Sequence, residues 1–196
     1  MHQLIPEHPA SYAADQIYSC DSIVSRELNS QTLQDYAVII LDREVLGHKP
    51  LKIRRQGSVS IGQSLVVMGH PSGLPTKIAG GGRVHQDKGN YIIADLDTYG
   101  GNSGSAVINR QSLEVEGILV RGARDFVFEN SCRRSNHCLE IDVDSGSCGG
   151  EGVTKITELS SFIPEVVEQE DPDLDELSIS SGVLNINIPD NDSRGV

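Results

Sequence analysis

A chain of 196 residues with 37% hydrophobic content is long enough for one substantial domain plus an appendage, and its 28 acidic against 16 basic residues give a net charge of -12. Such a surface repels phosphate backbones, which excludes nucleic acid and anionic membranes as partners. No run approaches the ~18 apolar residues of a membrane span, and the opening "MHQLIPEHPA" lacks the basic and apolar regions of a signal peptide.

Along the chain the strong signals are short and β-branched: "AVIIL" (37–41), "SLVVM" (64–68), "YIIADL" (91–96), "SAVIN" (105–109) and "VEGILV" (115–120). Turn clusters such as "GHPSGLP" and "AGGGR" separate them without helical periodicity, which predicts an all-β core, an antiparallel barrel or sandwich. One helix is predicted late. Thr154 caps it, Ile156, Leu159, Phe162 and Ile163 recur at three- to four-residue spacing, and Pro164 stops it. The domain is expected to span residues 1–164. Residues 165–178 read as a solvated linker, because "EVVEQEDPDLDE" holds seven carboxylates and no basic residue. Residues 179–196 alternate Val183, Leu184, Ile186 and Ile188 with polar residues, as the first strand of a second β domain would. Their "IPDN" resembles the opening of the P (Homo B) domain of proprotein convertases.

Cys132, Cys138 and Cys148 crowd a Gly/Ser/Asn-rich stretch, with Cys20 far away. Spacings of six and ten lack the CxxC pairs of a zinc knuckle, so the four read as two disulfides, with three pairings open. Disulfides point to a secreted or periplasmic protein.

The chemistry concentrates in "DTYGGNSGSAV" (97–107). Nucleophilic catalysis by serine needs an exposed hydroxyl, a base, a carboxylate to orient the base, and N–H groups aimed at the developing oxyanion. Gly101 lets the chain turn so that its own N–H and that of Ser103 point to one spot, while Gly104 leaves the hydroxyl unobstructed. The esterase elbow G-x-S-x-G fails because Ser105 takes the final glycine position and a strand follows. An EF-hand from Asp95 fails because Tyr99 and Ala106 stand where ligands belong. A plain glycine-rich hairpin remains the rival on glycine content alone.

The wider sequence resembles a known family. "DTYGGNSGSAV" is similar to the nucleophile motif G-[D/N]-S-G-[G/S] of trypsin-like serine proteases, in the form used by bacterial glutamyl-endopeptidase-like members. "DYAVIIL", "VVMGHPSGLPTKIAGG" and "EGILVRG" resemble, in order, the family's Asp-led strand, the segment before the nucleophile and the pocket-wall strand after it, over roughly residues 17–163. The resemblance implies a chymotrypsin-like double β-barrel with the first barrel incomplete at the N-terminus. It implies a serine endopeptidase in which Ser103 is the nucleophile, Asp35 orients the histidine, and the N–H groups of Gly101 and Ser103 form the oxyanion hole. It also implies a protein or peptide substrate, no cofactor or metal, and a monomer.

The histidine is the departure. In this family it precedes the Asp, and only His2 and His8 do so here, 33 and 27 residues before Asp35, both in the wrong setting. Neither is assigned. His70 and His85 follow Asp35 and read as structural; His48 and His137 read as solvated. The expectation is a chain truncated at both ends, inactive alone. The rival is a catalytically dead homologue that binds through the same scaffold.

For the primary pocket the resemblance implies Asp97, six residues before the nucleophile, with Thr98 beside it, and hence a preference for Arg or Lys. Leu119 stands where glutamate-specific members carry histidine, and Arg121 lies close by, able to pair with Asp97 or to select acidic residues itself.

Overall fold

The computed structural model describes residues 12–138, 141–142 and 148–165. They form ten strands: β1 (Cys20–Leu28), β2 (Asp35–Leu41), β3 (Ser64–Gly69), β4 (Lys77–Asp87), β5 (Tyr91–Ala94), β6 (Ala106–Asn109), β7 (Val115–Arg121), β8 (Phe126–Glu129), β9 (Cys132–Ser135) and β10 (Glu151–Lys155). Six close into an antiparallel barrel in the order β10-β5-β4-β3-β6-β7, while β1 with β2 and β8 with β9 form separate two-stranded sheets. The architecture is the all-β, chymotrypsin-like one expected, with one six-stranded barrel closed among the described residues. Among the described residues no helix is long and apolar enough to cross a membrane.

Strand alternation builds the barrel interior. Leu65 and Val67 of β3, Ile92 and Ala94 of β5, Val107, Leu119 and Val153 point inward and are almost fully buried. At roughly 1.5–3 kcal/mol for each large aliphatic side chain removed from water, this cluster outweighs any single polar contact in the domain. Val153 closes the ring, pairing with Ile92 on one side and Leu119 on the other. A second cluster lies outside the barrel, where Ile108, Val115, Ile156 and Leu159 pack against Tyr36 and Val38 of β2. The opposite face of the β1–β2 sheet leaves the cross-strand pair Ile23 and Ile39 exposed.

Two local expectations change. The late helix takes the form of two 3-10 turns, Ile156–Glu158 and Ser160–Phe162, which bury Ile156 and Leu159 without an α-helical stripe. Thr154 is no cap: it lies in β10, fully buried, and its hydroxyl donates to the Asp35 carbonyl at 3.1 Å. "AGGGR" is likewise no turn but part of β4, because Leu96 packs over Gly82 and leaves no room for a side chain there. The acidic linker beyond Glu165 and the second β domain fall outside the described residues.

One buried polar network steadies β7. Glu116, with a fully buried side chain, accepts from Arg54 Nε at 2.5 Å, Arg54 Nη2 at 2.8 Å and Asn109 Nδ2 at 2.7 Å. The Glu116 hydrogen bond holds the Arg54 guanidinium above its ordinary pKa. Arg54→Met keeps the stem but strands a buried carboxylate, and is expected to cost about 3–5 kcal/mol. Urea unfolding of the variant against the parent measures it.

Candidate active site

The turn between β5 and β6 is fixed at several points. Ser72 N–H donates to the Gly100 carbonyl at 2.8 Å, and Gly100 N–H donates to Asp125 Oδ2 at 2.8 Å. Gly104 N–H reaches the Leu119 carbonyl at 2.7 Å, and Leu119 N–H returns to the Ser105 carbonyl at 3.0 Å, clamping the turn to β7. Asn102 N–H and Ser105 N–H bond to the carbonyls of Tyr99 and Asn102. The buried Asn102 side chain donates to Thr98 Oγ1.

Two donors of this turn are left over. Among the described residues the N–H groups of Gly101 and Ser103 have no acceptor, while those of Gly100, Asn102, Gly104 and Ser105 each have one. Gly101 adopts φ +100, a left-handed conformation that other residues enter only with strain, and a Cβ there would lie 3.1 Å from Ser72 N. The Ser103 side chain is exposed, and Ser103 lines an open cleft of about 400 Å³ together with Met68, His70, Thr76, Gly101 and Ser105. An exposed hydroxyl flanked by two unengaged N–H donors meets two of the four needs of nucleophilic catalysis by serine.

The family model of the trypsin-like peptidase domain matches residues 9–118. The chain belongs to that family. A search of curated proteins finds no match. Among solved structures, the Rv3671c protease from M. tuberculosis is similar in its active form, with a TM-score of 0.48 and 17% identity over 76% of this chain and 59% of that one. An inactive form and an inactive serine-to-alanine mutant are each similar with a TM-score of 0.48 and 18% identity over 76% of this chain, covering 67% and 65% of theirs. The chain therefore spans about 59–67% of the length of these structures.

In this family member the residues singled out from sequence are distributed as follows. Asp35 opens β2, half-buried, and lines neither cavity beside Ser103. The start of β2 is nonetheless tied to the strands around the turn, through Thr154 and through Arg121 Nη2, which donates to the Leu33 carbonyl. His70 shares the cleft with Ser103, but its ring is engaged. Because a carbonyl only accepts, Nδ1–H donates to Leu74 O at 3.1 Å, leaving Nε2 to accept from the Thr76 hydroxyl at 3.3 Å. His85 pairs with Asp95 Oδ2 at 3.1 Å, and His48 and His137 are exposed. His2 and His8 lie outside the described residues.

The pocket residues divide. Thr98, Leu119 and Arg121 line a cavity of about 170 Å³ beside Ser103, whereas Asp97 is exposed and lines an adjoining cavity of about 460 Å³. Two acidic residues that the sequence did not single out, Asp125 and Glu151, line both. No spacing relates residue 151 to residue 103; barrel closure by β10 brings them together. The cysteines divide too: Cys138 and Cys148 form a disulfide, while Cys20 and Cys132, at the starts of strands in separate sheets, are free and exposed rather than bridged.

Proposed function

We propose that this chain carries the nucleophile and oxyanion half of a serine endopeptidase that hydrolyses peptide bonds in proteins or peptides. Ser103 Oγ attacks the scissile carbonyl carbon, the carbonyl electrons move onto oxygen, and the N–H groups of Gly101 and Ser103 hold that charge. Asp35 orients the imidazole that removes the serine proton and then returns it to the leaving amine. The observation that carries this reading is the pair of unengaged donors flanking an exposed serine, in a turn whose other N–H groups are bonded.

The imidazole is the part not found in the family's setting, since only His2 and His8 precede Asp35. Residues 1–196 alone are therefore proposed to lack appreciable peptidase activity. The form of the nucleophile motif favours the glutamyl-endopeptidase-like branch, whereas Leu119 in place of a histidine argues against glutamate specificity. The Cys138–Cys148 disulfide fits a secreted or periplasmic setting.

Adduct formation tests the nucleophile without turnover. A boronic acid bonds to an oxyanion-assisted serine, forming one B–O bond and releasing the serine proton to water. It is expected to react at Ser103 and not with the Ser103→Ala variant; no adduct on the parent would leave the binding homologue as the reading.

A further inference from the structure

The connection between β3 and β4 lies over the peptide unit that joins Gly100 to Gly101. Ser72 N–H donates to the Gly100 carbonyl at 2.8 Å, and a Cβ on Gly101 would lie 3.1 Å from Ser72 N and 3.4 Å from the His70 carbonyl. In a trans unit the C=O and N–H point in opposite directions, and among the described residues no peptide is cis. A carbonyl held by Ser72 therefore leaves the Gly101 N–H pointing away from Ser72, as an unengaged donor.

The two residues themselves do not impose that orientation. With glycine on both sides no Cβ opposes rotation of the unit, whereas its neighbours are pinned, Gly100 N–H to Asp125 Oδ2 at 2.8 Å and Asn102 N–H to the Tyr99 carbonyl at 3.3 Å. Among the described residues Ser72 is the one donor to the Gly100 carbonyl, so it decides which way the unit faces. Ser72 in turn needs support. It sits at φ 53, ψ 29, a left-handed conformation that a non-glycine residue keeps only where its surroundings enforce it. The enforcing bonds are Gly73 N–H to the His70 carbonyl at 3.3 Å, Leu74 N–H to the Pro71 carbonyl at 2.9 Å, and those of the His70 ring to Leu74 and Thr76. The ring thus ties the residue before the strained position to two residues after it.

We propose that His70 is a positioning residue of the oxyanion site: its ring holds the 70–74 turn in the shape that keeps Ser72 N–H on the Gly100 carbonyl, and so keeps Gly101 N–H aimed at the developing oxyanion. His70 acts through Ser72 and Gly100, not on the Ser103 proton.

Binding of phenylboronic acid to residues 1–196, read from the tetrahedral boron-11 signal, and hydrogen exchange of the Ser72 amide test this together. His70 is exposed, so its substitution leaves the barrel core untouched. His70→Ala is expected to weaken boronic acid binding about three- to tenfold and to speed Ser72 exchange by a similar factor, the population weight of one hydrogen bond of ordinary net strength. His70→Asn, whose amide N–H stands where Nδ1–H does, is expected to restore both. In Gly101→Val, where the donor is already withdrawn, His70→Ala is expected to cost no further affinity. Unchanged affinity in His70→Ala, no restoration by His70→Asn, or an equal loss in the Gly101→Val background, as direct contact between ring and ligand would give, overturns the proposal. The inference rests on the reading of Gly101 N–H as an oxyanion donor, and Ser72 exchange keeps the two apart. A parent chain with no boron adduct but with Ser72 protection that depends on His70 fails the nucleophile and upholds the hold of His70 on the Gly100–Gly101 unit; an adduct with Ser72 exchange indifferent to His70 fails this inference alone.

Discussion

Purified residues 1–196 are expected to hydrolyse a denatured protein no faster than their Ser103→Ala variant, on the order of a millionfold more slowly than a complete triad enzyme. A serine hydroxyl is a weak nucleophile at neutral pH, and a positioned base does most to activate it. The histidine that shares the Ser103 cleft, His70, has both ring nitrogens engaged, with Leu74 and Thr76. For Nε2 to accept the Ser103 proton, the Thr76 hydroxyl would have to be displaced. Release of soluble peptides from a denatured substrate measures the effect. Robust hydrolysis abolished by Ser103→Ala would contradict the expectation, and its loss in His70→Ala as well would make His70 the base.

The second large effect concerns the oxyanion donors. At Gly101 the backbone sits at φ +100, and a Cβ would meet Ser72 N at 3.1 Å and the His70 carbonyl at 3.4 Å. A β-branched side chain strongly disfavours that conformation, so Gly101→Val turns the peptide and withdraws its N–H from the site. Loss of one such donor costs about 10²- to 10³-fold, or roughly 3–4 kcal/mol. The affinity for a boronic acid is therefore expected to fall by about that factor in Gly101→Val, with the barrel intact by circular dichroism. Affinity within a factor of about two of the parent would mean that this N–H does not hold the oxyanion.

Much of the fold was legible because its strands are short apolar runs bounded by turns, and the five runs read from sequence correspond to β2, β3, β5, β6 and β7. Two of the strands that escaped, β4 and β10, lack that signature. β4 carries three consecutive glycines, of which Gly82 lies under Leu96, and β10, with the sequence EGVTK, has a single large aliphatic residue, Val153. Thr154 reads as a helix cap because Ser and Thr favour such positions, yet the closing strand of a barrel offers its hydroxyl a buried carbonyl instead. Of the site, the turn from Gly100 to Ser105 could be read directly because glycines with defined duties lie within a few residues of the serine. The acid of the neighbouring cavity could not, since Glu151 reaches it only through the pairing of β10 with β7. Asp97 shows the converse: close in sequence to the nucleophile, it faces the adjoining cavity.

The most direct measurement is the boron-11 magnetic resonance spectrum of phenylboronic acid with residues 1–196. The account predicts a tetrahedral boron signal from the bond to Ser103 Oγ, absent with Ser103→Ala and weakened with Gly101→Val. Boron that stays trigonal with the parent chain, or a tetrahedral signal that persists with Ser103→Ala, would contradict the assignment of Ser103 as the nucleophile.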